Sequence, residues 1–589
     1  MMYTREHIVA AARGDEEMDL VIREVNLVNV FTAEIYKADI GVKEDRFAAI
    51  AAYKDNEPSF QMIGKEEMEA KGKYAIPGLI DCHVHIESTM IPPDMFARAV
   101  LRHGTTVAVI DPHEIGNVMG MEGVKYMIEA SKDLPVEILT TIPSCVPAVP
   151  NLETAGAEFH PEDIETMLHL PNVVGIAELM DYVGVIKQHP RMAGIVQKGL
   201  DAGVRNEGHL PRVYGRDLAA YLAAGVNSDH ESRSTDEMLE KLRAGMLIYI
   251  RESSISQFAS IAAEAWREVP CVSNIAMCTD DVEPNDMLKN GQMNRVVRRC
   301  IEEGIPAPLA IRYASLNGAI RFGLNDRGAI AAGYRADFSL VDSIEDMEVT
   351  DVFVEGKQMV RNGELIEEIT SSVPPLLRNT VNIPELTEED FIIKAPIKDG
   401  TVTLHTMEMQ LNGTTAKGKV DVEVKNGVIS KLPDNLAFVT VIGRHGQNKK
   451  PFVGVIENSG LREGAYATTV AHDSHNLVVA GTNAQDMLLA IKQLEISGGG
   501  LCLVKDGEVQ AQIDLPLAGL MSPEPIEEIA IKVEQFNQVA KSMGVKVGRR
   551  SPAMAFSSLT LTVIPEIRIS DIGLVDVYKQ EWMPLFVEV

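Results

Sequence analysis

The chain has 589 residues, 46% of them hydrophobic and 24% charged, with a formal net charge of -30. That length makes several globular domains, and no apolar run is long enough for a membrane-spanning helix. So large a negative charge opposes a nucleic-acid partner, so neither nucleic acid nor a membrane is expected, and a small molecule is. The cysteines Cys82, Cys145, Cys271, Cys278, Cys300 and Cys502 are scattered without a Cys-x-x-Cys pair. Residues Met1 to His7 lack a basic region followed by an apolar segment. Both features point to reduced thiols in a cytoplasmic protein.

In chain order, short alternating apolar runs come first: Leu20-Val21-Ile22, Leu27 to Val30, Ile40-Gly41-Val42 and Ala48-Ala49-Ile50. They predict a small antiparallel β module, too small for a large core of its own. A stretch of the same character returns at Ala336 to Val341 and Val349 to Lys357. The expectation is one small β domain formed by 1–74 and 327–375, with 75–326 inserted.

The inserted segment carries eight strand candidates separated by helical patterns: Leu79 to Val84, Thr106 to Ile110, Val136 to Ile142, Val173 to Ala177, Gly203 to Glu207, Gly225 to Ser228, Met246 to Ile250 and Ile275 to Cys278. Alternation of this kind, repeated to that number, predicts an α/β fold with a (β/α)8 TIM-like barrel. Most of these strands run directly into polar chemistry: His83 and His85, Asp111-Pro112-His113-Glu114, Ser144-Cys145, Glu178, His209, Asp229-His230-Glu231, Arg251-Glu252-Ser253 and Asp280-Asp281. Barrel active sites form at the C-terminal ends of the strands, so these residues are expected at one mouth.

On a strand, residues i and i+2 share a face, so His83 and His85 offer two imidazoles to one metal ion. Adding His209, His230, Glu178 and Asp280 gives six expected ligands, more than one zinc ordinarily takes, which points to two divalent metal ions with Glu178 as the bridge. Asp280 is expected both to ligate and to accept a proton from the attacking water. The donor set admits Mn, Fe(II) or Zn.

The run Ala75 to Ser88, with His83 and His85 at its core, resembles the first-strand signature of the amidohydrolase superfamily. The whole chain resembles the adenine deaminase family within it, through Asp111 to Ile115 with Asn117 to Gly120, Ser144 to Ala148, Ala177 to Tyr182, Gly208-His209 and Cys278 to Asp281. The resemblance continues through Ala471-His472-Asp473-Ser474-His475-Asn476, Gly498 to Cys502 and Leu517 to Ser522. It implies a C-terminal α+β domain over 376–589, a binuclear metal site, Mn or Fe(II) before Zn, and hydrolysis of the purine base adenine to hypoxanthine and ammonia in purine salvage. A homo-oligomer, taken as a dimer, is the expected assembly.

Adenine C6 is a poor electrophile, so displacing its amino group needs a strong nucleophile and protons on the ring and on the leaving nitrogen. Asp280 is the expected shuttle to the amine, and Glu178, Glu252 and Asp111 are candidates for protonating the ring. Departures from the family pattern at Leu210-Pro211-Arg212, Ser253 and Val282 fall on loops expected to line the base pocket. They leave a deaminase of N6-substituted adenine or of another aminopurine as an alternative. A hydantoinase- or dihydroorotase-like cyclic amide hydrolase is a further one, disfavoured because Glu178 stands where those enzymes usually carry a carbamylated lysine. A non-catalytic protein on the same fold is disfavoured by the retained ligands. His472 to His475 is read as a loop packing on the barrel mouth or on another subunit, since neighbouring residues rarely converge as a triad. Gly498-Gly499-Gly500 is read as a turn.

Overall fold

A computed structural model describes residues 5–270, 272–410, 414–447, 450–548 and 551–587. Met1 to Thr4 and Cys271 lie outside the described residues. The two expected N-terminal runs up to Val30 join into one strand, Met18–Asn29. A bulge between Ile22 and Val25 interrupts its pairing with Glu34–Lys43, with Glu24 at φ 52°. The bulge takes up the extra residues that break the alternation, so both apolar runs keep their faces.

Segments from either side of the central region share one sheet. Tyr74–Pro77 pairs in parallel with Met18–Asn29 on one edge and antiparallel with Phe338–Val341 on the other. Phe338 stacks on Phe353 at 4.4 Å and lies 5.5 Å from Phe47, tying the late strands to the early ones. This sheet delivers the chain through Gly78 into Leu79–Val84, the strand that ends in the first histidine.

The central strands form two parallel sheets rather than one continuous ladder. The first runs in the order Arg205–Gly208, Val173–Leu179, Glu137–Ile142, Thr105–Ile110, Leu79–Val84; the second is Ser228–Asp229, Leu247–Arg251, Ile275–Cys278. Every residue of Leu79–Val84 and Thr105–Ile110 is buried, as parallel strands covered on both faces require. Side chains join a few backbone bonds at the seams. Gly208 N–H donates to Ser228 Oγ at 3.0 Å, and a Cβ on Gly208 would sit 2.1 Å from the Ser228 carbonyl oxygen, so only glycine permits that approach. At the other seam, Asp81 accepts from the Thr279 amide at 3.1 Å and from its hydroxyl, and the Asp280 amide donates to the His83 carbonyl at 2.9 Å.

Beyond these sheets, a largely antiparallel sheet of eight strands spans Gly400 to Asp514. The helix Ala484–Ser497 buries Met487, Ala490, Ile491 and Leu494, an i, i+3, i+4, i+7 stripe. Asn483 caps its start by accepting from Asp486 N–H, and Gly498 ends it at φ 79°, so the triple glycine opens as a helix C-cap. From the strand Ala465–Thr468 the chain continues into buried residues 470–476, which reach the ends of the central strands.

Candidate metal centre

Backbone geometry at the strand ends brings the donors together. His83 and His85 lie on either side of the last residue of their strand, with rings 4.7 Å apart. Nδ1–H of His85 donates to the Asp111 carbonyl at 3.0 Å, which leaves its Nε2 lone pair facing Glu178 Oε1 at 3.5 Å. A second hydrogen bond that fixes the tautomer in this way is the usual support of a metal-binding imidazole. His230 stacks on His83 at 4.4 Å, and its Nε2 lies 3.2 Å from Glu178 Oε2. Nδ1 of His209 lies 2.6 Å from the same oxygen.

Glu178 therefore stands at the centre. One oxygen faces His209 and His230, and the other lies 3.8 Å from His83 Nε2 and 3.5 Å from His85 Nε2. Ser144 Oγ donates to the Glu178 carbonyl at 2.7 Å and fixes the strand end. Oδ1 of Asp280 lies 3.5 Å from His83 Nε2, 3.6 Å from His230 Nε2 and 3.1 Å from Arg251 Nη1. Asp280 adopts φ 62°, the left-handed region that a non-glycine residue occupies only when its surroundings hold it there. Burial opposes ionisation of both carboxyls, yet His209 and His230 hold Glu178, and Arg251 with the histidines holds Asp280, well below the usual carboxylate range.

The loops that carry His209 and His230 share one buried support. Asp229 accepts from the Leu210 amide at 2.8 Å and from Lys241 Nζ at 2.9 Å. Lys241 also bonds the Leu210 carbonyl and Glu237, so this fully buried ammonium is saturated.

The donors fit divalent cations. Nε2 of His83 and Nε2 of His209 are buried with no hydrogen-bond partner. His83, His85, Asp111 and Glu178 form one compact group of ligand atoms, His83, His230 and Asp280 another, and Glu178, His209 and His230 a third. Imidazole and carboxylate donors of this kind suit Zn, Mn or Fe(II).

Two expectations need correction. Glu252 is turned away from the cluster: its Oε1 accepts from the Ala259 amide at 2.8 Å, at the start of a helix, and Oε2 lies 3.9 Å from Arg299. Successive residues of a strand face opposite sides, so with Arg251 directed at Asp280, Glu252 must point outward. The positions expected near the base pocket divide: the loop of Ser253 lines the cavity through Ile255 and Ser256. Val282 is fully buried in the apolar core. Ser253 Oγ closes a local turn by accepting from the Ile255 and Ser256 amides. Arg212 lines a neighbouring cavity with Tyr182 and Tyr578.

Residues beyond the expected set complete the cavity. His113 sits between two carboxylates, Nδ1 3.1 Å from Asp111 Oδ2 and Nε2 3.4 Å from Asp473 Oδ1. Despite burial, Asp111 and Asp473 push its pKa well above the usual imidazole range. Asp111 thus lies beside the metal donors with its carboxylate bonded to His113. Glu231 lies 2.7 Å from Arg251 Nη1 and 3.0 Å from Arg233, forming one charged wall. The C-terminal region adds His472, Asp473, Ser558, Leu561 and Ile564 to the lining. Nδ1 of His472 lies 3.5 Å from Glu114, whose Oε1 accepts from Ser88 at 2.8 Å.

Residues 74–359 match the family model of the amidohydrolases, and residues 412–581 match that of the adenine deaminase C-terminal domain. The chain is 39% identical to an adenine deaminase of Klebsiella pneumoniae over 97% of this chain and 94% of that one. It is also 39% identical to an adenine deaminase of Desulfatibacillum aliphaticivorans over 99% of each. Among solved structures, it is similar to a β-aspartyl dipeptidase of Fervidobacterium islandicum AW-1, with TM-score 0.44 and 18% identity over 60% of this chain and 98% of that one.

Proposed function

The chain belongs to the adenine deaminase family of the amidohydrolases, and from that membership we propose that it hydrolyses adenine to hypoxanthine and ammonia. The observation that carries this reading is the buried cluster of four imidazoles and two carboxylates, in a chain matched along nearly its whole length by adenine deaminases.

We assign His83, His85, Glu178, His209, His230 and Asp280 as ligands of two divalent ions, Mn(II) or Fe(II) before Zn, with Glu178 shared between them. Bound there, the metals supply the Lewis acidity that makes water a nucleophile at neutral pH. The chain's own groups do the rest. Water adds to C6; Asp280, ionised beside Arg251, takes the proton that water releases and delivers it to the departing amino nitrogen, so that the C6–N bond breaks and ammonia leaves. The water's other proton ends on the ring nitrogen: Glu178, ionised between His209 and His230, has no proton of its own to give and can only pass that one on, whereas Glu252 is withdrawn from that role by its orientation. Asp111 acts through His113, which it holds in place.

The same reading treats the two parallel sheets as arcs of one eight-stranded barrel over 75–326, supported by the bonds between Asp280 and His83 at the seam. The paired N-terminal and 327–375 strands form a second domain, and 376–589 a third. No helix among the described residues is long and apolar enough to cross a membrane.

The test is to strip the purified protein of metal and reload it with Mn(II), then follow ammonia and hypoxanthine from adenine while metal content is counted. Activity that returns in step with about two equivalents per chain supports the reading. Full activity at one equivalent overturns the shared-carboxylate site, and no deamination of adenine by fully loaded protein overturns the function.

A further inference from the structure

One carboxylate in this cavity has a role that neither the metal site nor the proton transfers absorb. Asp473 is 2% exposed. Its Oδ1 is engaged with His113 at 3.4 Å, while Oδ2 is buried with no hydrogen-bond partner. A buried carboxylate oxygen left without a donor is costly, and its retention points to a donor that arrives with a ligand.

The position of Asp473 says which donor. It lines the same cavity as His85, Glu178, His209 and Asp280, but it comes from the C-terminal region. The His113 ring stands between Glu178 and Asp473, with Nδ1 3.7 Å from Glu178 Oε1 and Nε2 3.4 Å from Asp473 Oδ1. A purine whose C6 lies at the metal donors is a rigid plane, and its N9 is on the far side of the bicycle from C6. Free adenine carries a hydrogen at N9, whereas a nucleoside carries a sugar there. Leu561 and Ile564 also line the cavity and offer apolar surface to a purine ring.

We propose that Oδ2 of Asp473 accepts the N9–H of the purine and so makes the site select the free base over N9-substituted purines. The inference rests on the adenine deaminase reading given above. A buried oxygen acceptor rewards a matching N–H and rejects an analogue that lacks it, because the acceptor is then left without a partner.

The probe is 9-methyladenine, which keeps C6 and its amino group but has no imidazole-ring N–H. Metal-loaded wild-type protein is expected to favour adenine over 9-methyladenine by about 10- to 100-fold or more in kcat/KM. Asp473→Ala is expected to lose most of that preference, chiefly by a fall with adenine. Asp473→Asn, which keeps the volume and guards against misfolding, should shift the ratio in the same direction. Equal losses with both substrates in the variants, or a wild type indifferent to the methyl group, overturn the assignment. Calorimetric binding of adenine and 9-methyladenine separates this from the reaction itself. A binding preference for adenine that disappears in Asp473→Ala supports the inference even if no ammonia is released, in which case only the deaminase reading falls. No binding preference in wild type overturns it.

Discussion

Oδ1 of Asp280 lies 3.1 Å from Nη1 of Arg251, and the same guanidinium nitrogen is 2.7 Å from Glu231. The three groups are buried, so the arginine is shared between two carboxylates and keeps Asp280 ionised and aimed at the imidazoles. A carboxylate held in this way is a proton acceptor fixed in position before substrate arrives.

Asp280→Asn keeps an oxygen donor of similar shape and removes the basic carboxylate. With metals loaded, kcat is expected to fall roughly a hundredfold or more while metal content stays close to wild type. Near-normal kcat in metal-replete protein would assign the proton shuttle to another residue.

Glu252→Ala tests whether Glu252 is structural or catalytic. Because Glu252 accepts from the Ala259 amide rather than facing the donors, its loss should cost about 1 kcal/mol of stability through the unsatisfied amide. Turnover of adenine should stay within a few-fold of wild type. A collapse of kcat with unchanged thermal stability would return Glu252 to the catalytic set.

Val282→Arg places a guanidinium in the apolar cluster that includes Ile86, Met90 and Met287. An uncompensated buried charge costs roughly 3 kcal/mol or more, so the expected outcome is poor folding and a lower unfolding temperature. The fraction that folds should keep the wild-type ratio of rates for adenine and N6-methyladenine. A well-folded variant with an altered ratio would put position 282 at the pocket after all.

Stability should depend on pH through Glu153. Burial, reinforced by Asp473, pushes its carboxyl up to about 8, and its Oε1 accepts from Thr562 at 2.9 Å across to the C-terminal region. An unfolded glutamate titrates near 4.3, so the folded state keeps a proton the unfolded state has released. The contribution is fully present below that value and declines as pH rises toward about 8. Glu153→Gln holds the hydrogen-bonding shape without titrating, so its melting temperature should fall less than that of wild type between about pH 5 and pH 8. Parallel melting curves across that range would remove Glu153 from the pH response.

The donor set was legible from the chain alone because each residue stands at a strand end that local pattern can locate. A buried parallel strand reads as an unbroken apolar run, and its end is marked where polar residues begin. His83, His85, Glu178 and Asp280 follow such runs directly, and the His-x-His spacing puts two imidazoles on one face by backbone periodicity. Orientation past the strand end was less accessible. Whether Glu252 or Arg251 faces the donors is a matter of one residue in register, and Val282 lies in the core two residues after Asp280 turns through a left-handed conformation. The C-terminal part of the lining was decided by tertiary structure alone. Asp473 meets His113, and Thr562 meets Glu153, across hundreds of residues. Neither helix nor strand periodicity extends across such a separation, so only the packing of the C-terminal region against the central strands brings these side chains to one cavity.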